Sequence, residues 1–169
     1  MQAIILSISR KNDKSILIHA FTREQGLQVY SLYGAGSRKK SLGALVPLSI
    51  VDLTEQYTKM PIKVIKEATM IYVPRRVPTD PKRQVLALFV AEALTKVLTY
   101  TMTDEPLYDY ITIVAKEIDT TDEFSGFANQ FLVRLSELLG YGGAAIDEIK
   151  NLRSAEMLRI VFDDQDFVI

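Results

Sequence analysis

The sequence predicts an α+β protein, with a small five-stranded β-barrel first and a C-terminal α-helical bundle after it. Three observations carry this. Apolar residues recur at every second position to about residue 72, and turn residues punctuate that stretch. Beyond Asp80 the apolar spacing lengthens to the three-to-four of a helix. Between the two lies Val73-Pro74-Arg75-Arg76-Val77-Pro78, whose prolines suit neither a helix interior nor a sheet ladder. Two domains, 1–78 and 79–169, are expected on either side.

The first strand is expected over residues 2–10, with Ile4, Leu6 and Ile8 on one face and Ser7 and Ser9 on the other. After the polar turn Lys11-Asn12-Asp13-Lys14 comes residues 15–22, where Leu17, His19 and Phe21 oppose Ile16, Ile18 and Ala20. Arg23-Glu24-Gln25-Gly26 signals a tight turn, and residues 27–33 place Val29 and Tyr33 opposite Tyr30 and Leu32. Strands over residues 46–58 and 62–72 complete the set, with Pro47 and Pro61 at strand starts or turns. Five short strands with one longer irregular connection suit a closed barrel of the oligonucleotide/oligosaccharide-binding (OB) type. An SH3-like barrel is the competing architecture.

In the second half Thr79 or Asp80 can cap a helix that Pro81 opens, with Val85, Leu88, Phe89, Leu94, Val97 and Leu98 as its apolar stripe. A second helix opens at Thr103-Asp104-Glu105-Pro106 and turns Leu107, Tyr110, Ile111, Val114 and Ile118 inward. A third, over residues 123–139, buries Phe127, Phe131, Leu135, Leu138 and Leu139 before Gly140-Tyr141-Gly142-Gly143 stops it. One more helical stripe follows in Leu152, Ala155, Leu158, Val161 and Phe162.

Composition narrows the function. The chain has 169 residues, 48% hydrophobic and 24% charged, as in ordinary globular proteins. No apolar run reaches the roughly 20 residues of a membrane-spanning helix, and residues 2–8 are too short and lack the basic flank of a signal peptide. The expected location is therefore the cytoplasm. The absence of cysteine removes disulfides and thiolate metal sites. His19, the single histidine, sits in a strand pattern between Leu17 and Phe21, where a structural role fits better than a general base. The glycine-punctuated run Tyr33-Gly34-Ala35-Gly36-Ser37-Arg38-Lys39-Lys40-Ser41 lacks the Gly-Lys-Ser/Thr ending of a phosphate-binding loop. Acids of the second half fall mostly on polar helix faces, and Asp163-Asp164-Gln165-Asp166 reads as a solvated end. No catalytic residue, metal or cofactor is expected.

Binding is better supported. Through residue 83 fourteen cations face six anions, a formal +8, and the remainder has six cations and fifteen anions, a formal −9. The net charge of −1 conceals this division. Arg10, Lys11 and Lys14 flank the first hairpin, Arg23 the second turn, and Arg38, Lys39 and Lys40 follow the third strand. On a barrel such loops can share a rim and form a basic track. Tyr30 and Tyr33 lie beside it as candidate stacking surfaces for unpaired bases. The plain alternatives are a solvated basic loop and tyrosines packed in the barrel. An adaptor that chiefly binds an acidic protein is the alternative function.

The order of several patches resembles the RecO family of bacterial recombination mediators. These are Ala3-Ile4-Ile5-Leu6-Ser7, Phe21-Thr22-Arg23-Glu24-Gln25-Gly26, the basic loop of residues 33–41, and Leu42-Gly43-Ala44-Leu45-Val46-Pro47-Leu48. Leu135-Ser136-Glu137-Leu138-Leu139-Gly140-Tyr141 and Asn151-Leu152-Arg153-Ser154-Ala155-Glu156-Met157-Leu158-Arg159 extend the likeness. Family members are commonly longer, and many carry a cysteine zinc site between the last two patches. Here only residues 142–150 separate them, which reads as a compact relative without that site. The resemblance implies binding of single- and double-stranded DNA, strand annealing, and help in loading recombinase onto strands coated by single-strand-binding protein. It implies RecR and that binding protein as partners, and a place in the bacterial cytoplasm at the nucleoid.

Overall fold

The computed structural model describes residues 1–12, 15–33, 45–59, 62–98 and 103–142. Strands β1 (Gln2–Asn12), β2 (Ser15–Thr22), β3 (Gly26–Tyr33), β4 (Ile50–Gln56) and β5 (Lys63–Tyr72) close in the order β1-β2-β3-β5-β4. Every neighbouring pair is antiparallel except β3 and β5, which run parallel at Tyr30–Lys63 and Ser31–Val64. This is the order of an OB-like barrel rather than the SH3-like alternative, closed by a short β3–β5 seam of two residue pairs.

The barrel has two apolar surfaces because β1 is buried on both faces. Ala3 and Ile5 point inside with Ile18, Ala20, Tyr30, Leu32, Val51, Leu53 and Ile65. Ile4 and Leu6 point outward, where Phe21, Leu27, Leu48 and Ile50 join them in the cluster that seats the helices. Ile8 departs from the expected shared face with Ile4 and Leu6 and packs against the interior group. A register shift between Ile5 and Ser7 accounts for it, since one extra residue reverses the alternation beyond it.

β4 begins later than expected. Before it, Leu48 sits at φ 67°, a left-handed conformation that costs a leucine energy. Its N–H donates to Ile5 O at 2.7 Å, and Ile5 N–H donates to Ser49 O at 2.8 Å. With the Leu48 side chain fully buried, β1 holds this turn in place.

Three helices follow: α1 (Pro81–Val97), α2 (Glu105–Thr120) and α3 (Phe127–Leu138). Asp80 caps α1 by accepting from Lys82 N–H at 3.0 Å, and Asp104 caps α2 by accepting from Leu107 N–H at 2.8 Å. Leu107, Ile111, Val114 and Ile118 of α2 are buried as expected, with Tyr110 packed at the margin. α3 starts four residues later than its pattern suggested, because Thr121 and Glu123 fold 121–126 into a turn through local hydrogen bonds. It ends at Gly140, φ 82°, where the Gly140 and Tyr141 N–H groups return to the carbonyls of Glu137 and Ser136.

α1 rotates away from its expected stripe. Val85 and Leu88 are each 51% exposed, whereas Ala87, Val90, Ala91, Ala93 and Leu94 are buried beside Phe89. Being apolar nearly all round, the helix is oriented by what it can approach: its alanines let it lie close to β1 and the other helices. The expected terminal stripe from Leu152 lies outside the described residues, as do the acids from Asp163. Among the described residues, no helix is long and apolar enough to cross a membrane.

Barrel and bundle are joined at a polar knot. Asp119, near the end of α2, accepts from the backbone N–H groups of Arg76 at 2.7 Å and Val77 at 3.2 Å, and from Tyr72 Oη at 3.0 Å. Arg83, 1% exposed, donates to Asp80 at 3.0 Å, to Ile118 O at 2.6 Å and to Asp122 at 3.0 Å. It also lies 4.9 Å from the centre of the Phe124 ring. A cation on the last carbonyls of α2 satisfies both their lone pairs and the negative end of the helix dipole.

Two predictions follow from this packing. Leu135 is 2% exposed between α3 and the shared cluster, so Leu135→Ala should cost about 2–5 kcal/mol in urea unfolding. An unchanged midpoint would show that α3 does not bury this face. Burial alone would raise the pKa of Asp119, but the donated hydrogen bonds from the 75–77 backbone and Tyr72 outweigh it and hold it below the ordinary carboxylate value. Its stabilisation is therefore complete above that ordinary value and is lost as pH falls through the lower folded one. Below about pH 4 wild-type stability should fall more steeply than that of Asp119→Asn, which is less stable at neutral pH. Parallel profiles from pH 5 to 2 would exclude Asp119 as an acid-sensitive element.

Candidate nucleic-acid interface

The strand register decides which cations can act together. Arg10 and Leu32 both oppose Ile16 across β2, and Tyr33 opposes Ser15, the first residue of β2. The β1–β2 turn and the exit of β3 therefore lie at one end of the barrel. Arg10 and Lys11 are exposed there, and Tyr33 is 42% exposed at the point where the chain enters the basic loop. Lys14, Arg38, Lys39 and Lys40 lie outside the described residues.

Arg23 lies at the other end, next to the Thr22–Gly26 pair. Its guanidinium pairs with Glu105 and Asp109 on α2 and sits 4.9 Å from the centre of the Tyr108 ring. This expected phosphate ligand is thus committed to the barrel–helix contact. Tyr30 is also excluded as a stacking surface: it is 0% exposed inside the barrel, and its hydroxyl donates to Glu55 at 3.1 Å. Burial, with the Glu55 carboxylate beside it, pushes the Tyr30 phenol pKa upward and keeps it neutral. Its strand position follows the expected alternation, but inward was the packed side.

Beside the expected Lys11, the structure adds Lys59 and Lys66, which the sequence pattern did not single out. Among the described residues, exposed Lys11, Lys59 and Lys66 on the barrel form no ion pair. Arg75, Lys82 and Lys116 beyond it are likewise without one, whereas Lys63 is held by Glu55 and Gln25, and Arg76 by Asp122. Lys66 lies two residues past Val64, and Tyr33 two past Ser31, the paired residues of parallel β5 and β3. Tyr33 follows the outward alternation of β3, and Lys66 is exposed at a bulge in β5, where Thr54 opposes Glu67 and Glu55 opposes Ile65. Lys59 lies in the β4–β5 connection with Tyr57. In an OB-like barrel, the β2–β3 face and the β1–β2 and β4–β5 loops form the usual oligonucleotide surface. His19, on that outer side of β2, is half-buried.

An OB-like barrel with uncompensated lysines on its loops and outer face, packed on a helical bundle, defines the class: an OB-barrel protein with a fused α-helical part. Comparison with known proteins points to one family. Residues 1–73 match the family model described as Recombination protein O N terminal. The DNA repair protein RecO of Porphyromonas gingivalis is 34% identical over 160 residues, covering 86% of this chain and 64% of that protein. RecO of Phocaeicola vulgatus is 33% identical over 141 residues, covering 81% and 58%. RecO of Christiangramia forsetii is 29% identical over 169 residues, covering 96% and 69%, so the likeness continues through the helical part. Residues 1–73 thus match the N-terminal part of the RecO family, and the chain is similar to RecO proteins over most of its length. It spans 64% of the length of the Porphyromonas protein and 58% of the Phocaeicola one.

The division between committed and available cations is testable. Arg23→Ala removes two ion pairs and a ring contact from the barrel–α2 contact, so the denaturation midpoint should fall while affinity for DNA stays within about twofold of wild type. A large loss of affinity in a variant of unchanged stability would return Arg23 to the binding surface.

Proposed function

We propose that this protein is a non-enzymatic recombination and repair mediator that binds single- and double-stranded DNA through its barrel. Similarity to RecO proteins supports this reading, and the single structural observation that carries it is the exposed, ion-pair-free lysines on the loops and outer face of an OB-like barrel. Lys11, Lys59 and Lys66, together with Arg10, Lys14, Arg38, Lys39 and Lys40, contact phosphates. Tyr33 lies against the strand. Clustered cations gain more on a polyanion than on isolated carboxylates, because each phosphate neutralised releases condensed counterions. Neutralising two strands at once lets complementary sequences approach, the physical requirement for annealing.

The same reading has the protein assist recombinase loading on strands coated by single-strand-binding protein, with that protein and a RecR-like protein as partners. It acts in the bacterial cytoplasm, at the nucleoid. The barrel, 1–78, carries the DNA site, and the helical domain, 79–169, contributes partner surface. No metal or cofactor takes part.

Replacing Arg38, Lys39 and Lys40 together with alanine tests the basic loop. If two or three of them each displace a counterion from single-stranded DNA, the log–log salt slope should flatten by roughly 1.5–2, with little change in folding. Affinity should fall more at low salt than at high salt, and annealing should fall in parallel. Wild-type affinity with an unchanged slope would remove the loop from the DNA site. Tighter binding of an acidic peptide than of DNA would favour an adaptor.

A further inference from the structure

Tyr57 stands in the β4–β5 connection with 90% of its surface exposed, more than any other large apolar or aromatic residue exposed in the described structure. No described residue stacks on its ring or bonds its hydroxyl. A single exposed aromatic is ordinary. Its surroundings distinguish this one.

The residue before it, Gln56, opposes Val64 of β5, and Val64 opposes Ser31 of β3. Two strand spacings, about 10 Å, therefore separate the base of Tyr57 from the strand that carries Tyr33. Lys59, two residues further on, is exposed and makes no ion pair with a described residue, as is true of Lys66 on the intervening strand. Two exposed tyrosines thus flank a sheet face on which Lys59 and Lys66 make no ion pair with a described residue, whereas Lys63 is held by Glu55. Lysines attract phosphates whether the strand is paired or not. A free aromatic face discriminates, because an unpaired base can lie on it while a base stacked inside a duplex cannot.

We infer that Tyr57 is a stacking platform for an unpaired nucleobase and gives the barrel a preference for single-stranded over duplex DNA. This rests on the DNA-binding reading above and assigns that site its strand selectivity. Its side chain makes no hydrogen bond or ring contact with a described residue, so its contribution is separable from the fold.

The test measures binding of wild type, Tyr57→Ala and Tyr57→Phe to an oligo-dT strand, to an abasic strand of equal length, and to a duplex. Tyr57→Ala should weaken oligo-dT binding about 5- to 100-fold. It should leave the abasic strand, the duplex, the salt slope and the melting temperature unchanged. Tyr57→Phe, which keeps the ring, should bind like wild type. Equal oligo-dT affinity in wild type and Tyr57→Ala overturns the inference, as does an equal loss on oligo-dT and abasic strands. Wild type that binds none of the three nucleic acids overturns the DNA-binding reading itself.

Discussion

The structure depends on one strand that is apolar on both faces. Inside the barrel, Ala3 and Ile5 of β1 complete the packing around Tyr30 and Leu32; outside, Ile4 and Leu6 supply the floor on which α1 and its partners lie. Adjacent residues thus serve two cores, and a shift of one residue in register would exchange them. The bulge after Ile5 limits this double role to the first half of the strand. Beyond it β1 turns polar and exposed and runs out to Arg10 and Lys11. The same strand is a structural beam at one end and a solvent-facing arm at the other.

Charge is partitioned along similar lines. Arg23, Arg76 and Arg83 hold helices to barrel and linker, each meeting one or more carboxylates or helix carbonyls. Arginine suits this work because its planar fork serves several acceptors at once. Among the described residues, the barrel cations without an ion pair are lysines, whose compact, well-hydrated ammonium groups stay in water. The basic character of the first half of the chain thus divides into a share committed to the fold and a share left exposed.

Much of the fold was legible because a period of two and a period of 3.6 are strong signals, and because Asp80, Asp104 and Gly140 mark helix ends by simple backbone chemistry. Less was legible where a residue's role depends on distant neighbours. Nothing local told that Arg23 would meet Glu105 and Asp109, which follow it by more than eighty positions. Tyr30 and Tyr33 differ by the parity of their positions, and only closure of the sheet shows which side is inside. α1 misled for the opposite reason: with apolar residues on almost every side, its pattern does not favour one orientation. Lys59, Lys66 and Tyr57 form no local motif, and gain their interest from strand register.

Closure through a parallel contact also orders the birth of the molecule. β1, β2 and β3 are joined by short turns and can pair once Tyr33 has emerged from the ribosome, whereas the β3–β5 seam waits for Lys63 and Val64 to emerge. Until then Ile18, Ala20, Tyr30 and Leu32 have no facing wall, and the nascent sheet carries an open apolar trough. The β4–β5 hairpin shuts it, but Ile4 and Leu6 remain uncovered until the helices have been synthesised. At translation rates of roughly 5–20 residues per second, these intervals last seconds, far longer than hairpin formation. A ribosome-bound chain therefore passes through two successive periods of hydrophobic exposure, and the second ends only when the bundle docks.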